Sequence, residues 1–474
     1  KPLLSDILEK SGIVSKHPCG GRGVCGKCAV NITGNLSNAT DSEKKFGKRL
    51  SCQTRLFGDC TVDLSKDEND SAVIETEGIN IGKHTSPTEK TGYGISADIG
   101  TTTVVVGLFD MKTGEQLSSA SELNPQISIA ADVMGRIKAS LEGKRDILKE
   151  LIVTSIEKLT SECLSKAGLD IVPEYYSITG NTTMLYALTG KDPVSLSAAP
   201  FEADCLFGNY YEINGHSCYL PPCISAFVGA DITCAVEASG MTEKGETALL
   251  CDIGTNGEIA LFKDGKLYVT STAAGPAFEG AGISCGCGAV NGAIDTVKYE
   301  NGEIKYTTIG NAPPVGVCGS GIIDAVAAFL EAEYVDETGM LDSDGLISDE
   351  IGFIPQDIRS VQLAKAAISA GIETLITAAG CNLESVKTFY IAGGFGKHLN
   401  VDSAVKIGLF PAALRDKVKV IGNAAFSGAT SALLYEETKL KLQNIVGISK
   451  AINLGGNKQF NELYVENMFF DTEI

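Results

Sequence analysis

SADIGTTTVVVGLFD at residues 96–110 and LCDIGTNGEIALFKD at residues 250–264 are two copies of one pattern. Each copy reads Asp-Ile-Gly-Thr, then an apolar strand, then a glycine-containing turn of the kind that a β-hairpin requires. Because core, strand and turn recur together, the repeat predicts two similar lobes. From residue 94 onward, apolar strands alternate with helical patterns, which is typical of an α/β domain.

The repeated turn suits nucleotide phosphates. Its N–H groups and hydroxyls can hold phosphate oxygens, while the aspartate at the strand end can hold hydrated Mg²⁺. Two such turns, one per lobe, can clamp a triphosphate, and their aspartates are the predicted catalytic residues, Asp98 and Asp252. The predicted phosphate-binding residues are Gly100, Thr101, Thr102 and Thr103 in the first turn and Gly254, Thr255 and Asn256 in the second. Two further polar residues, Asn181 and Asp231, either face the same cleft or belong to turns of the core.

Two more glycine-containing segments are candidate nucleotide contacts. FYIAGGFGK at residues 389–397 is an apolar strand that runs into glycines. Without side chains there, adenine and ribose could lie close to the backbone. VCGSGIID at residues 317–324 opens a helical run and is either a cleft contact or a plain helix start. The candidates from these segments are Gly393, Gly394, Phe395, Gly396, Gly319 and Ser320.

The order of these motifs resembles the superfamily of acetate and sugar kinases, Hsp70 chaperones and actin. The resemblance covers residues 94–474 and implies two ribonuclease-H-like lobes that close on Mg²⁺-ATP. A GxxxxGK[ST] P-loop does not occur in the chain, and a Rossmann GxGxxG after a first strand is absent too.

The N-terminal cysteines form a separate motif, carried by HPCGGRGVCGKCAV at residues 17–30 and RLSCQTR at residues 49–55. The spacing C-x5-C-x2-C followed by a distant cysteine is close to the plant-type pattern for a [2Fe–2S] cluster. The intervening glycines let the loop curl and aim N–H groups at the sulfurs. Zinc is the main rival, but zinc ribbons usually pair their ligands as CxxC…CxxC, and only one CxxC is present here. The predicted cluster ligands are Cys19, Cys25, Cys28 and Cys52.

Residues 1–65 resemble a plant-type or adrenodoxin-type ferredoxin domain, which implies a small α+β β-grasp fold. Such domains begin with a β-hairpin, whereas this chain opens on the predicted helix LLSDILEKSGI, so we expect that hairpin to be missing. Residues 66–93 are polar without an apolar period and predict a flexible linker. The two-lobed domain then occupies residues 94–474, and the overall class is mainly α/β.

Composition narrows the function classes. The 474 residues carry a net charge of −20, which would repel nucleic acid and anionic lipid. Residues 1–65 instead hold ten Lys or Arg against six Asp or Glu, either a docking surface for an acidic partner or a chance excess. No stretch approaches the roughly 20 apolar residues that span a membrane, and no secretory segment is visible, so we expect a cytoplasmic protein without nucleic-acid or membrane partners.

The fifteen cysteines fit reduced thiols and metal ligation better than disulfides, and the four scattered histidines are assigned no metal role. Most of the other cysteines lie among apolar neighbours and are expected to be buried. Cys285 and Cys287, in GAGISCGCGAV, are either buried thiols or ligands of a metal or of a subunit-bridging cluster, as in the dehydratase activators of this superfamily.

A ferredoxin module joined to such an ATPase resembles the reductive activators of corrinoid proteins. The resemblance implies that ATP drives one electron from a [2Fe–2S] cluster to cob(II)alamin-type cobalt and regenerates cob(I). It implies [2Fe–2S], ATP and Mg²⁺ as cofactors, a corrinoid protein of a methyltransferase system as partner, and an upstream ferredoxin or flavin reductase as electron donor. Longer members carry an extra domain between cluster and ATPase, which leaves a monomer and a homodimer both open here.

Energetics explain why ATP would be needed. A plant-type cluster works at about −400 mV, the cob(II)/cob(I) couple lies lower, and every 100 mV uphill costs roughly 2.3 kcal/mol per electron. Three other functions stay open at this point. They are a small-molecule kinase with an accessory cluster, an activator of a dehydratase or radical enzyme, and a nucleotide-sensing redox switch without turnover.

Overall fold

Four β-sheets organise the parts of the chain that the computed structural model describes, which are residues 1–11, 23, 28–63, 90–342, 345–394 and 398–470. Four predicted site residues lie outside these ranges: Cys19, Cys25, Phe395 and Gly396. Residues 64–89, most of the predicted linker, also lie outside them.

The N-terminal module is a three-stranded antiparallel sheet with two short helices. Its strands have the spatial order β2-β1-β3. The helix predicted at the start of the chain is present, and Cys60 lies on the third strand. The elements are α1 (Leu4–Lys10), β1 (Ala29–Leu36), α2 (Asp41–Phe46), β2 (Arg49–Leu50) and β3 (Leu56–Asp63).

The first lobe is a six-stranded sheet in the order β6-β5-β4-β7-β9-β8. The first three strands form an antiparallel meander, and β7 lies parallel to β4. The strands are β4 (Tyr93–Ile99), β5 (Thr103–Asp110), β6 (Gln116–Leu123), β7 (Tyr175–Gly180), β8 (Asn209–Ile213) and β9 (His216–Leu220). The helices are α3 (Val133–Ala139), α4 (Arg145–Ala167), α5 (Thr182–Thr189), α6 (Val194–Ser197) and α7 (Ala230–Ser239).

The second lobe contains a six-stranded sheet in the order β17-β16-β10-β11-β12-β18 and a three-stranded sheet in the order β14-β13-β15. The strands are β10 (Ala248–Ile253), β11 (Gly257–Lys263), β12 (Lys266–Thr272), β13 (Ala293–Glu300), β14 (Glu303–Thr308), β15 (Gly316–Val317), β16 (Thr388–Ala392), β17 (Val418–Gly422) and β18 (Ser449–Ala451). The helices are α8 (Gly319–Glu331), α9 (Pro355–Ala378), α10 (Val401–Lys406), α11 (Ala424–Leu434), α12 (Glu436–Ile448) and α13 (Lys458–Glu466).

The two large sheets share one central arrangement, which confirms the two lobes predicted from the repeat. In each, a three-stranded antiparallel meander is followed by a parallel strand beside its first member, β7 beside β4 and β16 beside β10. Helices cover both faces of such a sheet, so even Ser96 on β4 is fully buried. The Asp-Ile-Gly-Thr segments therefore end two central strands that correspond to each other.

Helix α11 joins the lobes. It follows β17 of the second lobe, yet it packs against α7 and strands β4 and β7 of the first lobe, and all its residues are buried. Gly428 permits this close packing, because a Cβ there would lie 2.2 Å from the carbonyl oxygen of Cys234 on α7. At the C-terminal end of α11, the Lys90 ammonium donates to the carbonyl of Leu433 at 3.1 Å and pairs with Glu436 at 2.8 Å. The end of the predicted linker is thus attached to this helix at Lys90.

Among the described ranges, no helix combines the length and the apolar character needed to cross a bilayer.

Candidate functional site

Two of the four predicted cluster cysteines lie within the described residues and converge from different segments. Cys28 precedes β1 and Cys52 follows β2, both are about 95% buried, and their Sγ atoms are 3.2 Å apart. The side-chain amide of Gln53 donates towards Cys52 Sγ at 3.8 Å. Two buried thiols with an N–H group aimed at one sulfur fit the anionic environment of an iron–sulfur cluster.

Glu43 of α2 fixes the segment that carries Cys52. Its carboxylate accepts hydrogen bonds from the backbone of Thr40 and Leu50, from the Thr54 hydroxyl at 2.6 Å and from Arg49 at 3.0 Å. Burial by itself raises the pKa of Glu43, but these hydrogen bonds outweigh it, so the pKa lies below its ordinary value. A 1%-exposed carboxylate with this many donors acts as the structural centre of the loop around Cys52.

We predict that Glu43→Gln destabilises the N-terminal module by about 1–3 kcal/mol, because the amide leaves at least one buried donor without an acceptor. The measurement is urea unfolding of the full chain, followed by the loss of the visible absorbance of the cluster. Asp41→Asn is the matched control, since the Asp41 side chain on the same helix is fully exposed. Equal midpoints for Glu43→Gln and Asp41→Asn would contradict the role given to Glu43.

The two predicted phosphate turns face each other across the lobes. Each turn closes a hairpin, between β4 and β5 and between β10 and β11. The hydroxyls of Thr102 and Thr255, one from each turn, are 3.0 Å apart. These two threonines are 153 positions apart in the sequence but lie in contact in the fold. The two turns that carry the repeated motif therefore lie together in the structure.

Glu279, which the sequence analysis did not single out, bridges the two turns. It ends a short 3₁₀ helix (Pro276–Glu279) after β12, and its Oε2 accepts from Thr102 at 2.8 Å and from Thr255 at 2.6 Å. Burial raises the pKa of Glu279, although the two hydroxyls partly offset this effect. One carboxylate thus occupies both hydroxyls that were predicted to bind phosphate.

Buried carboxyl groups surround the turns. Burial, the larger cause, and repulsion from Asp231, the smaller one, raise the pKa of Asp98 to about 7. Burial and repulsion from Asp231, Asp98 and Glu279 raise the pKa of Asp252 to about 8. Burial also raises the pKa of Asp231 to about 6 and that of Glu258 well above its ordinary value. Acids that repel one another in a shared cleft favour a bound cation.

The donor set fits hydrated Mg²⁺ rather than a direct protein cage. Among the described residues, no three carboxylate, thiol or imidazole groups converge closely enough to ligate one ion. Mg²⁺ usually keeps several waters and is held by one or two carboxylates together with nucleotide phosphates. Asp98 and Asp252, at the ends of corresponding strands, are the residues that would hold such an ion.

We predict that the metal-free protein loses thermal stability between pH 5 and pH 8. A carboxyl whose pKa rises on folding binds its proton more tightly in the folded than in the unfolded chain, so deprotonation favours unfolding across this interval. Asp98 and Asp252, with pKa values of about 7 and 8, carry the effect. Differential scanning fluorimetry should show a Tm that falls by several degrees, and Mg²⁺-ADP should raise the Tm more at pH 8 than at pH 6. A Tm that is flat or rises with pH would contradict the carboxyl cluster, and Asp98→Asn should flatten the decline.

Three residues support the first turn from behind. Asn423, at the N-terminus of α11, donates to Asp98 at 3.2 Å, and Asn181 donates to the Thr101 hydroxyl at 3.1 Å. Arg136, only 1% exposed, donates to the Thr101 carbonyl at 2.6 Å, and burial lowers its pKa to about 10. Of these, the sequence analysis raised only Asn181, which here both caps α5 and contacts the turn.

The glycine after β16 lies where the sequence analysis placed a nucleotide contact. Gly393 has φ 108°, and a Cβ there would lie 2.6 Å from the carbonyl oxygen of Ile253 and 3.0 Å from Asp252 Oδ1. Only a glycine lets this strand end lie against the second turn. Gly394 beside it has open space on its Cα. An adenine contact at this strand end stays a prediction.

The Gly319-Ser320 segment starts helix α8, as one of the two interpretations required. Both residues are buried, and the Ser320 hydroxyl donates to the carbonyl of Asp295 at 2.9 Å. A contact of this segment with nucleotide stays a prediction.

Cys285 and Cys287 are half-buried, and their backbones pair with Val317. A metal-binding role for these two cysteines stays a hypothesis.

Three family models match the chain in succession. Residues 1–56 match the 2Fe-2S iron-sulfur cluster binding domain, residues 93–244 the RACo middle region, and residues 246–474 the C-terminal domain of RACo, the ASKHA domain. The ranges matched by the second and third models, residues 93–244 and 246–474, coincide with the first and second lobes.

The similar proteins match between 80% and 100% of the chain. The corrinoid activation enzyme RamQ of Eubacterium limosum is 30% identical over 577 residues, which cover 100% of this chain and 97% of RamQ. Since the alignment is longer than this chain, RamQ contains segments that are absent here. The [Co(II) methylated amine-specific corrinoid protein] reductase of Methanosarcina barkeri is 26% identical over 80% of this chain and 77% of its own. A solved reductive activator for corrinoid, iron-sulfur protein superimposes with a TM-score of 0.74 at 27% identity, over 98% of this chain and 95% of that one.

Proposed function

This chain belongs to the family of corrinoid activation enzymes, and from that premise we propose that it performs the ATP-dependent reductive activation of a corrinoid protein. One electron passes from the N-terminal [2Fe–2S] cluster to cob(II)alamin-type cobalt and regenerates cob(I). The observation that carries the proposal is the similarity to RamQ over the full chain, together with converging cluster thiols at one end and paired phosphate turns at the other.

At the N-terminal module, the cluster when bound supplies one-electron chemistry. Cys19, Cys25, Cys28 and Cys52 are the proposed ligands. Two described residues position the Cys52 thiol. Glu43 fixes the loop that follows β2, and the Gln53 side-chain amide donates towards Cys52 Sγ. Burial of Cys28 and Cys52 excludes water from the sulfurs. An upstream ferredoxin or flavin reductase is the proposed electron donor.

In the two-lobed domain, we propose that ATP and hydrated Mg²⁺ bind between the turns. The hydroxyls of Thr102 and Thr255 exchange Glu279 for phosphate oxygens, while Asp98 and Asp252 orient the waters of the ion. Arg136 holds the first turn through the Thr101 carbonyl, and its buried positive charge stabilises the anionic nucleotide. Hydrolysis then supplies the free energy for the uphill electron transfer.

Helix α11 connects the proposed nucleotide site to the end of the linker. Its N-terminal Asn423 contacts Asp98 at the nucleotide site, and its C-terminal Leu433 carbonyl receives the Lys90 ammonium at the end of the linker. Because the helix is fully buried and close-packed, a shift at one end displaces the other. Lobe closure on ATP would in this way shift the anchored end of the linker and alter docking of the corrinoid protein, which weakens an axial cobalt ligand and makes the metal easier to reduce.

The test uses the reduced full-length protein under anaerobic conditions. It is mixed with a corrinoid protein in the cob(II) state, of the methylated-amine or iron–sulfur kind, and the cobalt spectrum is followed with ATP, with ADP and without nucleotide. We expect cob(I) to accumulate only with ATP. Equal yields in all three mixtures would overturn the coupling, and phosphoryl transfer to an added sugar or acid would favour a kinase instead.

A further inference from the structure

The position of Glu279 has a consequence for hydrolysis. Among the described hydrogen bonds, this carboxylate is the side chain that joins the hydroxyls of both phosphate turns, at 2.8 and 2.6 Å from a single oxygen. Its other oxygen lies on the side of Gly254, 3.5 Å from where a Cβ of that glycine would be. Glu279 thus lies at the seam of the two lobes, where the terminal phosphate of a clamped triphosphate is expected.

A bound phosphate changes the surroundings of Glu279. Once Thr102 and Thr255 donate to phosphate oxygens, the carboxylate loses both hydroxyl donors but stays beside the phosphate. Two anions do not make direct hydrogen bonds, so a donor must lie between them. Water is a donor of suitable size, and hydrolysis requires one at that place.

We propose that Glu279 is the catalytic residue that orients and deprotonates the attacking water, a role that rests on the proposed ATPase function. The water oxygen forms a bond to the γ-phosphorus while the bond from that phosphorus to the β,γ-bridging oxygen breaks. The bridging oxygen leaves with the electron pair as ADP, and the water proton passes to the Glu279 carboxylate. Inorganic phosphate and ADP are the products, and no oxidant or reductant is consumed.

The two aspartates of the repeated motif suit another task. Asp98 is held by Asn423, and Asp252 lies under the backbone of Gly393, so both are fixed at strand ends. Fixed carboxylates of this kind favour an ion with its waters. Glu279 lies instead on the 3₁₀ helix after β12, outside both turns, and reaches both by its side chain. This division leaves the aspartates with Mg²⁺ and Glu279 with the water.

The experiment compares wild type with Glu279→Gln in the full chain loaded with its cluster. Single-turnover hydrolysis of Mg²⁺-ATP should slow by about 10²- to 10⁴-fold, the usual contribution of a general base, while the Kd for Mg²⁺-ATP from calorimetry stays close to the wild-type value. Glu303→Gln, at an exposed position on β14, is the matched control and should hydrolyse ATP at the wild-type rate. A second variant, Glu279→Ala, should regain hydrolysis when formate is added. The same addition should leave the hydrolysis rate of wild type unchanged.

Three outcomes with the Glu279 variants would overturn the role. Wild-type turnover in Glu279→Gln would show that another group activates the water. A parallel loss of ATP affinity, or a large rise in the Mg²⁺ concentration needed for half-saturation, would place Glu279 in ligand binding. Absence of formate rescue in a folded, ATP-binding Glu279→Ala protein would leave a structural role. If wild type itself hydrolyses no ATP, the proposed function fails and this role fails with it.

Discussion

Cys52→Ala is expected to abolish electron transfer to the corrinoid protein while ATP binding stays unchanged. Cys52 is 5% exposed and its Sγ lies 3.2 Å from that of Cys28, so removal of this thiol removes one ligand from a buried pair. A [2Fe–2S] cluster with one of four ligands missing is not held stably. Visible and EPR spectra of the anaerobically purified variant should lack the cluster signal, and cob(I) formation should fall to background.

The control for this variant lies in the same module. Cys60→Ala removes a thiol from β3 that is not a proposed ligand, so the cluster spectrum and cob(I) formation should match wild type. Mg²⁺-ATP affinity should be equal in wild type and both variants, because the proposed nucleotide residues lie in the two-lobed domain. A Cys52→Ala protein with an intact [2Fe–2S] spectrum would contradict the ligand assignment. Zinc in place of iron in the wild-type protein would contradict the electron-transfer function altogether.

Features that depend on residues close in the sequence were predictable. The Asp-Ile-Gly-Thr segments each form one hairpin, so their recurrence predicted the two lobes and the facing turns. The apolar strand that runs into Gly393 predicted a nucleotide contact, which stays a prediction, whereas the close approach of Gly393 to the second turn emerges only from the fold. The cysteine spacing predicted four cluster ligands, of which Cys28 and Cys52 lie together in the fold while Cys19 and Cys25 lie outside the described residues.

Features that depend on how the lobes meet were not predictable. Glu279 follows no repeated motif, and its partner Thr102 is 177 positions away. Asn423 reads as an ordinary helix cap after β17, and only the packing of α11 across the lobes brings it to Asp98, 325 positions away. Arg136 belongs to no motif in the sequence, and only the fold buries it under the first turn. Each of these side chains gains its role from tertiary contacts that a local pattern does not contain.

The carboxyl cluster shows that the site is built at the expense of stability. Burial raises the pKa values of Asp98, Asp231, Asp252 and Glu258, and repulsion from Asp231 raises those of the other three further. Such an arrangement is costly without a cation and becomes favourable when a divalent ion and its nucleotide bind. The same residues should therefore have opposite effects on folding and on catalysis.

Asp252→Asn is expected to stabilise the nucleotide-free protein at pH 8 while it lowers ATP hydrolysis by at least about 10²-fold, a loss typical of a missing electrostatic group in an active site. The pKa of Asp252 is raised to about 8, so the wild-type side chain is largely neutral in the fold at pH 5 and increasingly charged as the pH approaches 8. Asparagine imitates the neutral form at every pH, and its advantage in Tm should grow from pH 5 to pH 8. Hydrolysis declines because a neutral amide holds hydrated Mg²⁺ poorly.

The other end of the same hairpin supplies the control for Asp252→Asn. Asp264→Asn changes an aspartate whose side chain is 85% exposed, in a left-handed turn position that asparagine adopts readily, so neither Tm nor hydrolysis should change with pH relative to wild type. Scanning fluorimetry across pH 5–8 and single-turnover hydrolysis at pH 8 measure both effects. A Tm for Asp252→Asn below that of wild type at pH 8 would mean that the charged carboxylate has a partner that stabilises it without metal. Loss of hydrolysis without any gain in stability would then make Asp252 a structural residue of the turn. In that case only Asp98 could have opposite effects on folding and on catalysis.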